Sequence, residues 1–192
     1  MAKRYEEDKS GIESNTVGVY RTAATVKGGR RFSFSGMVVC GDRKGQVGLG
    51  YGKANQVPNA IEKAQKKAKQ AMRSFPLTGT TIPHQVTGRF GACTVRLVPA
   101  SPGTGVIAGA AVRAVLDLLG VQDCLSKAYG STNNKNLTKA VIDGLQQLRS
   151  RQQVESLRKI TIEKTHIEEA HSLQPEVEVV SADAEATTEV AE

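Results

Sequence analysis

The sequence predicts an α+β protein in two parts, and three observations carry that prediction. Residues 17–54 break at glycine-rich turns into three strand-like segments. A lysine-rich helical pattern follows, and then "SFPLTGTTIP", residues 74–83, whose Pro and Gly content marks a linker. Beyond it, strand and helix signals alternate. The expected architecture is a three-stranded antiparallel sheet plus helix, then a small α/β domain in β-α-β-α order. The expected boundaries are a flexible N-terminus at 1–11, domains at 12–76 and 84–160, a linker at 77–83 and an acidic disordered tail at 161–192.

Val17 to Val26 is rich in Val, Thr and Tyr, and Gly28-Gly29 suits a tight hairpin turn with positive φ. In the next strand Phe32, Phe34, Val38 and Cys40 share one face, opposite Arg31, Ser33 and Ser35. "GDRKGQ" makes a second turn, and "VGLGYG" places Gly48, Gly50 and Gly52 on one side. That glycine row reads as room for a closely packed helix ahead of a strip for a nucleic-acid backbone. Pro58 opens the helix, and Ile61, Ala64, Ala68, Ala71 and Met72 form its apolar stripe. In the second half "ACTVRLVPA" is a strand and "SPGTG" a turn. Val106 to Leu119 reads as one mostly buried helix, and Leu137 to Leu148 as another.

Charge narrows the partner. The chain of 192 residues has a formal net charge of +7, but residues 161–192 hold nine acidic side chains against Lys164. Residues 1–160 therefore carry 25 basic against 10 acidic side chains. A field of that sign implies a polyanion, nucleic acid first and an anionic membrane surface second. No stretch reaches the roughly 18 apolar residues of a membrane span, and "MAKRYEEDKSG" has no signal-peptide core, so a soluble cytoplasmic protein is expected. Cys40, Cys93 and Cys124 lack metal or disulfide spacing and read as core residues.

The basic side chains cluster at turns. Lys27, Arg30 and Arg31 crowd the first hairpin, whose narrow tip would enter a groove that a flat surface cannot reach. Arg43, Lys44 and Lys53 are expected about 30 Å away at the other end of the sheet, from strand length. Lys66 and Lys67 belong to a cluster similar to that of double-stranded-RNA-binding domains. "PASPGTGVIAGAA" looks like a phosphate cradle but lacks both Gly-Lys-Ser/Thr and GxGxxG, so a phosphotransferase is disfavoured. His84, His166 and His171 mark no catalytic site.

The motifs VKGGRRFSF, GxGYGKAxxVPxAIxKA, GTGxIAG and KAYGSTN together resemble the bacterial small-subunit ribosomal protein five family, over about Val17 to Leu148. The resemblance implies an N-terminal domain similar to a double-stranded-RNA-binding fold and no enzymatic activity, cofactor, metal or small-molecule substrate. It implies binding to small-subunit (16S) rRNA, contacts with ribosomal proteins four and eight, a place near the messenger RNA entry channel, and roles in subunit assembly and accuracy. The hairpin at Thr25 to Arg31 would reach rRNA near the spectinomycin site. The RNA-binding candidates are then Arg21, Thr25, Lys27, Gly28, Gly29, Arg30, Arg31, Arg43, Lys44, Lys53, Lys66 and Lys67. Gly103, Thr104 and Arg113 are the candidates for contact with protein four. Ala24 and Tyr20 depart from the family's frequent lysine and asparagine. The alternative is a free-standing RNA-binding regulator.

Overall fold

The structure, a computed structural model, describes residues 6–7, 11–162 and 169–170. The first sheet is antiparallel throughout, in the order β1 (Glu6–Glu7), β2 (Glu13–Val26), β3 (Gly29–Gly41), β4 (Gln46–Ala54) and β5 (Arg73–Ser74). Its three long strands are the three predicted from sequence, and β1 and β5 extend its edges by two residues each. The imperfect alternation in β2 has a structural cause, a register shift between Thr16 and Gly18. Helix α1 (Val57–Gln70) packs on one face through Ala60, Ala64 and Ala68. Ala71 is an exposed C-cap residue rather than part of the buried stripe, because the helix has already ended there.

The second sheet contains β6 (Val86–Phe90), β7 (Cys93–Pro99), β8 (Val106–Ile107) and β9 (Cys124–Gly130), in the order β6-β7-β9-β8. Only β8 runs parallel to its neighbour, and α2 (Ala110–Leu119) crosses over between β8 and β9. The apolar segment 106–119 is thus not a single helix. Val106 and Ile107 pair with Cys124 and Leu125, and the helix starts only after Gly109. Seven of the ten α2 residues are buried, as its composition predicts. Helix α3 (Asn134–Gln146) begins three residues earlier than expected, with the Asn133 side chain accepting from Lys135 N–H. Neither β6 nor α4 (Arg151–Arg158) was expected. Strand β6 carries Gly88 mid-strand, and α4 starts at a Ser150/Gln153 capping box.

Four layers result: α1, the first sheet, the α2 and α3 layer, and the second sheet. Because α1 covers one face of β3 and α2 the other, "MVVC" (residues 37–40) is buried without alternation. Val38 and Cys40 meet Ala64 and Ala68, whereas Val39 joins the larger core with Leu116, Leu118 and the second sheet. The glycine row has the close-packing role. A Cβ on Gly48, Gly50 or Gly52 would overlap the carbonyl oxygens of Ala68, Ala64 and Ala60 respectively. Backbone lies directly on backbone. Of the acidic tail, nearly all lies outside the described residues, as do His166 and His171.

Replacing Gly50 by Ala should therefore lower the unfolding free energy by about 2–3 kcal/mol, at the upper end of overpacking costs, because the obstructing atom is main chain. Gly28→Ala, with open space around it, should change stability by less than about 0.5 kcal/mol. Urea denaturation of the two variants tests the difference.

Candidate nucleic-acid interface

Strand β4 ends at Ala54, opposite Phe34, so the β2–β3 ribbon continues alone from Thr22↔Ser33 to Val26↔Gly29. At about 3.3 Å per residue this finger extends roughly 16 Å beyond the sheet. Residues 23–32 are all exposed, and no core lies beneath them. Lys27 and Gly28 form the two-residue turn. Of the glycine pair only Gly29 takes a positive φ, 137°.

Residues directly opposite on paired strands share a face. Arg21, Phe34, Phe32, Thr25 and Arg30 therefore line the α1 side, and Ala24 and Arg31 the other. Cations point both ways. Phe32, on the face it was expected to share with Val38 and Cys40, is 48% exposed because the ribbon has left the sheet at that point, and the Arg21 guanidinium lies 4.7 Å from its ring centroid. Thr22 Oγ1 and Ser33 Oγ, 2.9 Å apart, pin the register on the opposite face.

Lys53 does not lie with Arg43 and Lys44. Strand β4 runs back toward the finger, so Lys53 pairs with Ser35 at the finger's base and is exposed there. Lys66 and Lys67 stand exposed on the outer surface of α1.

The second basic turn faces inward with its backbone. Arg43 N–H donates to the Leu118 carbonyl and Gly45 N–H to the Leu119 carbonyl, both at 3.0 Å. These carbonyls belong to the last turn of α2, where no intrahelical donor remains. Arg43 adopts a left-handed φ of 55° to make this contact, a conformation costing about 1 kcal/mol outside glycine. Its guanidinium meets the Glu13 carboxylate at 2.6 Å. The turn that carries Arg43 and Lys44 thus lies at the negative end of the α2 dipole.

Gly103 and Thr104 are exposed in the turn before β8, where Thr104 N–H and Oγ1 both donate to the Ser101 carbonyl. A buried carboxylate that the sequence did not single out fixes this loop. Asp123 accepts from Gly105 N–H and from Thr80 Oγ1, both at 2.9 Å, while its carbonyl accepts from Thr81 Oγ1 at 2.6 Å. The segment expected as a linker is thereby tied to the loop and to β9. Arg113 donates to the Val106 carbonyl and, with Arg43 and Asp117, lines an open cleft of about 610 Å³ between the two halves.

No catalytic arrangement emerges among the described residues. His84 Nε2 accepts from Arg149 N–H at 3.1 Å and ties the end of α3 to the segment before β6. Cys40, Cys93 and Cys124 are free and buried, as expected of core residues.

Residues 12–76 match the family described as ribosomal protein S5, N-terminal domain, and residues 88–158 that described as ribosomal protein S5, C-terminal domain. The chain belongs to the ribosomal protein S5 family. It is similar to "Small ribosomal subunit protein uS5" of Rhodopirellula baltica, 53% identical over 150 residues that span 78% of this chain and 85% of the relative. The protein of the same description from Rubrobacter xylanophilus is 52% identical over 153 residues, spanning 80% of this chain and 76% of the relative. That from Psychromonas ingrahamii is 45% identical over 162 residues, spanning 84% and 97%. The family is one of structural ribosomal proteins rather than enzymes, and its members reside in the small subunit of the cytoplasmic ribosome.

The thiols of this family member fit that role. Burial pushes Cys40 and Cys124 from 9.0 up to about 11, so neither forms a thiolate near neutrality. At about pH 8 an aromatic disulfide reagent should leave all three native thiols untouched and titrate all three in denaturant. Because the folded pKa is raised, this contribution to stability is complete below pH 9 and lost as pH rises toward 11. Cys40→Ala should reduce that alkaline loss in a denaturation series across pH.

Proposed function

We propose that the protein anchors folded small-subunit (16S) rRNA by its finger, with Lys27, Arg30 and Arg31 on phosphates and Gly28 and Gly29 permitting close backbone approach. The observation that supports this reading best is the ribbon that leaves the sheet with cations on both faces. Such a shape meets phosphates on both walls of a groove. Lys53 and Arg21 extend the cationic surface to the finger's base, and Lys66 and Lys67 carry it onto α1. Arg43 and Lys44 contribute less, since the Glu13 carboxylate and the α2 terminus offset part of their charge. The exposed Gly103-Thr104 loop and Arg113 serve contact with neighbouring protein four, and a further protein contact is made with protein eight. In that setting the protein supports subunit assembly, messenger entry and translational accuracy.

Lys27→Ala with Arg30→Ala should weaken binding to a 16S rRNA fragment and reduce the slope of log affinity against log salt by up to about 1.8. Arg43→Ala should change that slope by less than either single finger substitution. Unchanged affinity and slope in the double variant would remove the finger from the interface. Loss of the wild-type chain from small subunits during a high-salt wash would favour a free-standing regulator instead.

A further inference from the structure

Among the described residues, no layer covers the outer face of the second sheet. Cys93, Val95, Leu97 and Cys124 point inward to α2 and α3, so the alternate residues of β7 and β9 point away. Two cross-strand rows follow from the register: Arg89, Thr94 and Tyr129 in one, Thr87, Arg96 and Lys127 in the next. Arg89, Arg96 and Lys127 are exposed, and Tyr129 is 51% exposed. An open antiparallel face is ordinarily polar on its water side, with charges of both signs. The described residues of this one carry a single sign. None of the four strands contains an Asp or Glu. Asp123 is buried in the loop clamp, and Asp143, on α3, is engaged by the Arg89 main-chain N–H at the sheet edge. Arg96 donates to the neutral Gln85 side chain, and among the described residues no carboxylate pairs with it.

We propose that this face is a second RNA-binding surface, for single-stranded RNA, with Arg89, Arg96 and Lys127 on phosphates and an unpaired base stacked on Tyr129. It rests on the reading that the protein binds RNA, but it uses different residues and a different RNA form. A flat strand surface cannot enter the deep, narrow groove of an RNA duplex, whereas an exposed aromatic ring beside cations suits splayed bases. The third row, Val98, Leu125 and Ile107, is apolar and lies toward the Gly103-Thr104 loop. The same sheet therefore separates a cationic aromatic half from an apolar one.

The test uses the full chain with two probes, a labelled oligouridylate of about twelve nucleotides and an RNA duplex of roughly 16 base pairs. Tyr129→Ala should weaken oligouridylate binding at least about fivefold, and Tyr129→Phe should restore it. Arg96→Ala with Lys127→Ala should lower the single-strand salt slope by about 1.4. Neither should alter duplex binding, which Lys27→Ala with Arg30→Ala should weaken instead. Since the chain contains no tryptophan, Tyr129→Trp places a lone indole on the face, selectively excited apart from the remaining tyrosines, and oligouridylate should quench it. Unchanged oligouridylate affinity in the Tyr129→Ala and Arg96→Ala/Lys127→Ala variants, with their thermal unfolding midpoints retained, would overturn the proposal. So would an equal loss on both probes, an unquenched fluorophore, or face variants that lose only a protein partner. Wild-type failure on the duplex alone would count against the finger reading and leave this surface standing.

Discussion

The two halves of the molecule are joined by the need of one buried helix end for hydrogen-bond donors. Helix α2 lies between the sheets, so the carbonyls of Leu118 and Leu119 have little access to water, and leaving them unpaired would cost about 1–3 kcal/mol each. The β3–β4 turn supplies both donors, from Arg43 and Gly45. Fit at this point is close: a Cβ on Gly41 would strike the Leu118 carbonyl, and one on Gly120 the Arg43 carbonyl. Phe75 N–H then donates to the Gly45 carbonyl at 2.9 Å, which brings the start of the inter-sheet connection to the same turn. Sequence turns that look like independent surface loops are here a single joint. The positive charge of Arg43 and Lys44 is explained in part by what lies under them rather than by what lies outside.

Fixing one end of the first sheet leaves the other end free to project. The finger has no apolar layer to stabilise it, and its three closely spaced cations repel one another. Its order comes from local pairings: the Thr22 and Ser33 hydroxyls on one face, and Arg21 over Phe32 on the other. Each is worth only about 0.2–1 kcal/mol as a cross-strand pair. Neutralisation by phosphate would relieve that repulsion, which the register of the ribbon alone does not. The basic hairpin is thus costly in isolation and suited to an anionic environment.

Much of this could be read from residues, and the omissions have definite physical causes. The Gly48, Gly50 and Gly52 row, facing alanines spaced by four, signals close backbone packing directly. Strand β6 is hidden in the sequence because Gly88 reads as a breaker, although it is glycine for the same reason as Gly50: Ala140 and Gly144 of α3 press against it. Helix α4 had a legible start, Ser150 with Gln153 three residues on. Lys53 is near the second turn in chain order but not in space, because β4 returns toward the finger and pairs Lys53 with Ser35. Phe32 shares its face with the buried Val38 and Cys40, but alternation cannot tell where a strand loses its neighbour. The Asp123 clamp left no pattern at all, since its partners Thr80, Thr81 and Gly105 come together only through the fold.

That clamp has a mechanical consequence. The Gly103-Thr104 loop would be a floppy glycine turn on its own, with Gly103 and Gly105 both at positive φ and open space around them. Asp123 holds its exit through Gly105 N–H, and Thr81 Oγ1 accepts from Ala100 N–H at its entry, so both ends of the loop are held through the inter-sheet segment. The same segment continues from β5 and Phe75, which are bound to the first sheet and to the α2 joint. Loop, joint and finger base therefore belong to one hydrogen-bonded frame, in which displacement of the first sheet is resisted by buried polar groups rather than absorbed by a linker. A surface loop anchored in this way keeps a fixed position relative to the base of the finger.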